Sequence, residues 1–411
     1  LTSPQAKTPA RSWWSQFPAA LREVAWIRLV ASMGAGGVIY LTPIVFHHAS
    51  FSARAVTEGI GLAALAGTFG RLLSGLMLDR GCSCALPVLL AAIAAIAGDI
   101  RLLSASSFPA YLGGQILLGI AAGFYWPAIE LAVPLSCSSG ARPIPSARGY
   151  ALVRSADAAG IAAGALLGAL LAGQGSLRGI YAIDIFCALA VVLLLLLRPL
   201  PVPQKAESHN RLSAARQWLP PLLPVLAITL LATALPALMQ SALPLDLVRG
   251  GLERPAMQES LGALLIGLQL SILVLIQWPL GQALAKRPVA QGLGLSLVAF
   301  ACGTALLALS ALSRQGLVLV VAAQLPLAIG EAAFLPIATE AVIELTPREH
   351  QGLAMALFSQ CFAISALAAP LVAGWALEGF GNGLALWSCT AILCLAGLSL
   401  VRWLKPKPLA S

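Results

Sequence analysis

Glu331 sits midway along an apolar run that spans 316–345. An ionisable group at that depth is costly unless it is paired, solvated or neutral. Two chemistries fit it. It is either a carboxylate that loads and releases a proton, or a structural carboxyl kept neutral or hydrogen-bonded between helices. Gln324 precedes it by nearly two helical turns and so shares its face. Four more charges, Arg28, Glu130, Arg154 and Asp157, fall in apolar runs toward one end. Arg154 and Asp157 stand three apart and can pair on a helix. Arg28 can reach Glu130 or Asp157. The readings for this set are a gate that breaks on opening, an anion site built on the arginines, or static pairs that snorkel at an interface. Arg71 lies deeper, eight residues before Asp79, and reaches an inner loop or a partner helix. Asp99, Asp184 and Glu58 lie toward the opposite end and read as solvated or structural.

Further polar residues form two stripes. Gln115, Trp126 and Glu130 fall on one face of the run 108–133, with Gly119 between them. Thr229, Thr233 and Gln240 do so in 219–246. Such groups orient a small amphipathic substrate in an apolar cavity, although helix packing uses Thr and Gly equally well. Tyr125-Trp126-Pro127 marks a helix break where a cavity can form. No set of His, Asp or Ser converges at one depth, so the chain does not read as an enzyme. No Gly-x-x-x-x-Gly-Lys-Ser/Thr loop is present to hold nucleotide phosphates. Cys82-x-Cys84 lacks a second pair, and His47-His48 reads as a solvated helix end. Neither a metal nor a cofactor is expected.

These residues need elements that cross a bilayer. The chain has 411 residues, 59% hydrophobic and only 10% charged, against about 25% charged in soluble domains. Its apolar runs are near the twenty residues a spanning helix needs. Without water to satisfy the backbone, they must be helical. Twelve such runs are legible, giving an all-α membrane protein. The net charge of +9 is spread between the runs, which argues for membrane topology and against nucleic acid as a partner. Of 25 Lys and Arg, only Arg54, Arg101, Arg178, Arg249, Arg254 and Arg314 fall on the side opposite the termini. The positive-inside rule then places both termini in the cytoplasm and the chain in the cytoplasmic membrane. Residues 1–22 are polar and mixed, and read as an interfacial segment rather than a cleaved signal peptide.

The chain divides into related halves. Residues 1–198 form a six-helix bundle with an N-terminal segment, 199–218 form a polar linker, and 219–411 form a second six-helix bundle. Ile60-Gly61-Leu62 recurs as Ile266-Gly267-Leu268, and Gly75 recurs as Gly281 at the same offset. A duplicated unit of this kind suits alternating access, with a site between the halves.

On these features the chain resembles the major facilitator superfamily over nearly its whole length. Gly75, Asp79 and Arg80 are similar to that family's loop motif between helices two and three. There the aspartate is understood to hold the outward-facing state. The usual basic pair downstream is replaced by residues around Cys82-Ser83-Cys84. Gly160, Gly164 and Gly168 resemble the glycine-rich antiporter motif, with Ala165 and Ala169 at its proline and last-glycine positions. Gln115 stands where the fourth-helix motif carries an arginine. The resemblance implies twelve helices in two pseudo-symmetric bundles, a monomer surrounded by membrane lipids, and secondary transport of a small molecule. Proton coupling through Glu331 and export are the favoured reading. Uptake by symport, or a passive or lipid-handling carrier on the same fold, is the alternative.

Overall fold

The computed structural model describes residues 13–139, 144, 146–198, 200–202, 215–284, 287–346 and 351–404. Residues 199 and 203–214 of the expected linker, and Lys286 in the second-half echo of the loop motif, lie outside the described residues. A 3₁₀ turn, Trp13–Gln16, leads into the first helix. The twelve helices are α1 (Ala19–His48), α2 (Ala53–Asp79), α3 (Ala85–Leu103), α4 (Phe108–Ser138), α5 (Ser146–Gly173) and α6 (Gly179–Leu197), then α7 (Ala215–Arg249), α8 (Glu259–Leu284), α9 (Val289–Ser310), α10 (Gly316–Leu345), α11 (Gln351–Phe380) and α12 (Leu384–Val401). All twelve contain a stretch long and apolar enough to cross a membrane. Being even in number, they bring the start of α1 and the end of α12 to one face, here called the near side; the other is the far side.

Two six-helix bundles result. In the first, α1 packs on α5 and α6, and α2 and α3 pack on α4. In the second, α9 packs on α10 and α12, and α7 packs on α11. The bundles meet through α2 against α11 and α5 against α8, two contacts that exchange under the pseudo-symmetry. The sequence repeat marks both of them. A Cβ at Gly61 would lie 3.1 Å from Leu371, and one at Gly267 would lie 2.7 Å from Leu166.

Two kinds of glycine shape the first bundle. At Gly164 a Cβ would overlap the Met33 carbonyl oxygen and come 3.1 Å from the Gly37 backbone nitrogen. Only a bare Cα lets α1 and α5 approach this closely. Gly160 and Gly168 continue the stripe, against Leu29 and Leu41. Gly81 instead ends α2. It adopts φ +81°, a left-handed conformation that costs glycine little. Its N–H donates to the Leu78 carbonyl at 2.9 Å and that of Cys82 to Met77 at 3.0 Å, which closes a Schellman turn.

The far side of the second bundle holds an ion pair that the sequence reading did not single out. Arg254, after α7, pairs with Asp246 at 2.9 Å, and both side chains are almost wholly buried. Ser310, Trp387 and the Gly383 N–H complete the network, the last two donating to Asp246.

Candidate functional site

The charged residues singled out in the first bundle come together on the near side. Arg28 of α1 pairs with Asp157 of α5 at 2.8 Å, and Ser32, one turn on, donates to the other carboxylate oxygen at 2.6 Å. Arg154, also on α5, pairs with Glu130 of α4 at 2.9 Å and lies 3.9 Å from Asp157. Trp126 of α4 is the platform. The Arg28 guanidinium stands 3.8 Å from one of its ring centroids, and that of Arg154 stands 5.4 Å away. The Tyr125 ring is 5.3 Å from Arg28. Three helices thus share one charge-balanced network of two arginines and two carboxylates.

The physics of the two pairs differs. Arg28 is 4% exposed, so removing Asp157 would strand a buried cation, a loss of about 3–5 kcal/mol. The Arg154 and Glu130 side chains are each about one-third exposed, and their pair is correspondingly weak. One arm is a fixed strut and the other is a contact that water can break.

Glu331 lies midway along α10 in the second bundle. It is within electrostatic reach of Asp157 across the bundle interface and of Tyr40 on α1. Gln240 of α7 stands beside the same tyrosine. No described cation pairs with Glu331. Asp157 therefore faces the basic network on one side and an unpaired carboxyl from the other bundle on its other side.

The remaining expected residues scatter. Gln324 is fully buried, its amide nitrogen donating to Val320 and its oxygen lacking a described partner. The Thr229 hydroxyl donates to Val225. Thr233 donates to Thr229 and bonds Ser365 of α11 at 2.8 Å, so Thr233 knits α7 to α11. Gln115 is buried in α4. Arg71 lies at the crossing of α2 and α4, where its backbone meets Gly123, and has no described side-chain partner. Of Asp79 only the backbone is described, and Arg80 is exposed at the α2 cap. Glu58 pairs with Arg54 at 2.7 Å. Asp99 and Asp184 are buried, so the solvated alternative fails for both.

A cavity of about 190 Å³ opens inside the first bundle, between α1, α3, α4, α5 and α6. Arg28, Trp126 and Asp157 line it together with a row of alanines and Asp184. Among the described residues no cluster of metal-ligating side chains occurs.

The sequence matches the profile of the Major Facilitator Superfamily over residues 24–290 and 227–411. No curated protein matches it. Among solved structures, a POT family transporter in complex with 5-aminolevulinic acid superposes with TM-score 0.76 at 12% identity, over 94% of this chain and 96% of that one. The nucleoside transporter NupG superposes with TM-score 0.73 at 13% identity, over 95% and 100%. The peptide transporter POT in complex with sulfate gives 0.72 at 12%, over 97% and 98%. At such identities these likenesses speak to the fold alone.

Proposed function

The chain belongs to the Major Facilitator Superfamily, and from that premise we propose that it exports a small organic molecule in exchange for protons, with Glu331 as the proton-carrying group. It is a transporter, not an enzyme. The observation that carries the proposal is the position of Glu331: unpaired, midway along α10, and within reach of Asp157 on the opposite bundle. Ionised, it repels Asp157 across the interface. Protonated, it lets the bundles close around it. The network of Arg28, Glu130, Arg154 and Asp157 is the near-side device that answers this change, with Arg71 and the Gly75, Asp79 and Arg80 turn beside it. Gln240 and Trp126 border the path of the substrate.

We assign the bundle boundary to the expected linker 199–218, whose last four residues open α7, and both termini to the cytoplasm, following the distribution of Lys and Arg. The glycine stripe of α5, through its resemblance to the antiporter motif, supports export over uptake.

The test is flux in proteoliposomes with a trapped pH dye, across a panel of small organic cations, anions and zwitterions. A substrate of the wild type moves protons, and Glu331→Gln abolishes that movement. Substrate flux in wild type with no proton signal, or a Glu331→Gln variant with unchanged coupling, refutes the assignment and leaves a passive or sodium-coupled carrier.

A further inference from the structure

Asp99 on α3 is fully buried, and neither of its carboxylate oxygens receives a hydrogen bond from a described residue. Asp184 faces it from α6, within hydrogen-bonding reach. The two can bond only if one of them keeps a proton. Asp184 also lines the far end of the first-bundle cavity. Its Oδ1 is pressed so closely against α1 that a Cβ at Gly34 would overlap it.

Among the described residues the surroundings offer no free cation. Arg178, just before α6, donates both arms of its guanidinium to the Leu103 and Ala105 carbonyls at 2.7 Å. Tyr181 of α6 bonds Thr42 at 3.1 Å, and Tyr111 of α4 donates to Val56 at 2.6 Å. Cys187 is the other titratable neighbour on α6. Toward the pair α1 presents Gly34. The one arginine of α1 that lines the cavity, Arg28, is held by Asp157 at the opposite end. Two carboxylates that share a site with no cation cannot both ionise.

The cavity joins this pair to the near-side network. Arg28, Ser32, Ala35 and Ile39 line it along one face of α1, a path of about 16 Å at the helical rise. We propose that Asp99 and Asp184 form a second protonation site, which holds one shared proton and exchanges it through this intra-bundle cavity. Release leaves two negative charges in a site with no cation, so it requires the cavity to fill with water. Motion of α1 against α3 and α6 then sets the occupancy of the site. It stands apart from Glu331, which belongs to the other bundle.

Infrared difference spectroscopy on the purified protein, titrated from acidic to alkaline buffer, tests this. A protonated-carboxyl band that titrates reversibly is expected in wild type. It should persist in Glu331→Gln and vanish when Asp99→Asn and Asp184→Asn are added to that background, which separates this site from the proton carrier proposed above. A band that the combined variant leaves unchanged, or that does not respond to pH, overturns the proposal. If the combined variant does not fold, Asp184→Asn keeps the volume and must still shift the band. A sodium-dependent rise in thermal stability that the Asp184→Asn variant loses, with no carboxyl band in wild type, also overturns it in favour of a metal cation.

Discussion

Asp157 is the residue on which most of the described chemistry converges. It accepts from Arg28 and Ser32, lies near Arg154, and senses Glu331. Replacing it with Asn should lower the detergent melting temperature and abolish transport. Glu130→Ala should leave folding intact, because its partner is about one-third exposed and the pair is worth under about 1 kcal/mol. Thermal-shift chromatography of the two variants checks the contrast, and equal losses would refute it. Much of this network could be read in the sequence, since charges in apolar runs announce themselves. The three-residue spacing of Arg154 and Asp157 is a helical contact, and the choice between Glu130 and Asp157 as partner of Arg28 was the part that needed tertiary structure. Asp246 and Arg254 escaped notice because they sit at the end of a span and in a loop, where charge is ordinary. Nothing local signals that three helices bury them. Asp246→Asn should therefore cost about 3–5 kcal/mol, visible as a loss of folded yield.

At the scale of the helix, close approach decides the outcome. Gly164→Leu should separate α1 from α5, with an overpacking cost of about 1–3 kcal/mol or more, and reduce both melting temperature and transport. Gly281→Ala should be silent in this conformation, because a Cβ there meets no described atom within 4 Å. A stable Gly164→Leu protein with normal flux would show that the stripe is not an interface. The twelve helices were legible because each needs a long apolar run; the structure carries α4 on to Ser138 and α7 from Ala215 to Arg249, beyond the 108–133 and 219–246 read in the sequence. The polar stripes were harder to read. Thr229 and Thr233 look like cavity lining in sequence, yet a buried hydroxyl in an apolar helix bonds to the carbonyl one turn back unless something better is near. The sequence pattern does not distinguish those two fates.

For the whole molecule, the described contacts between bundles gather on the far side. His48 bridges to Glu259 at 2.7 Å, Gly374 of α11 rests on Thr57 of α2, and a Cβ at Gly262 of α8 would lie 3.9 Å from Ile44. On the near side, a Cβ at Gly75 or Gly281 would meet no described atom of another element within 4 Å. Among the described residues the two bundles are thus drawn together at the far face. Single cysteines at positions 75 and 281, in a cysteine-free background, should react rapidly with bulky thiol reagents, and one at 374 slowly. Equal rates would contradict this shape. The His48 side chain is 77% exposed, so the bridge that closes the far side is itself a weak latch, worth about 1 kcal/mol or less and weakened further by salt. Packing, not charge, then holds that face shut. The two end states can lie close in free energy, and a proton or a substrate that favours one by about 5.5 kcal/mol would carry the population from about 1:99 to 99:1. A heavily bolted far side would demand more than one small ligand can supply; a lightly latched one turns modest binding differences into nearly complete switching.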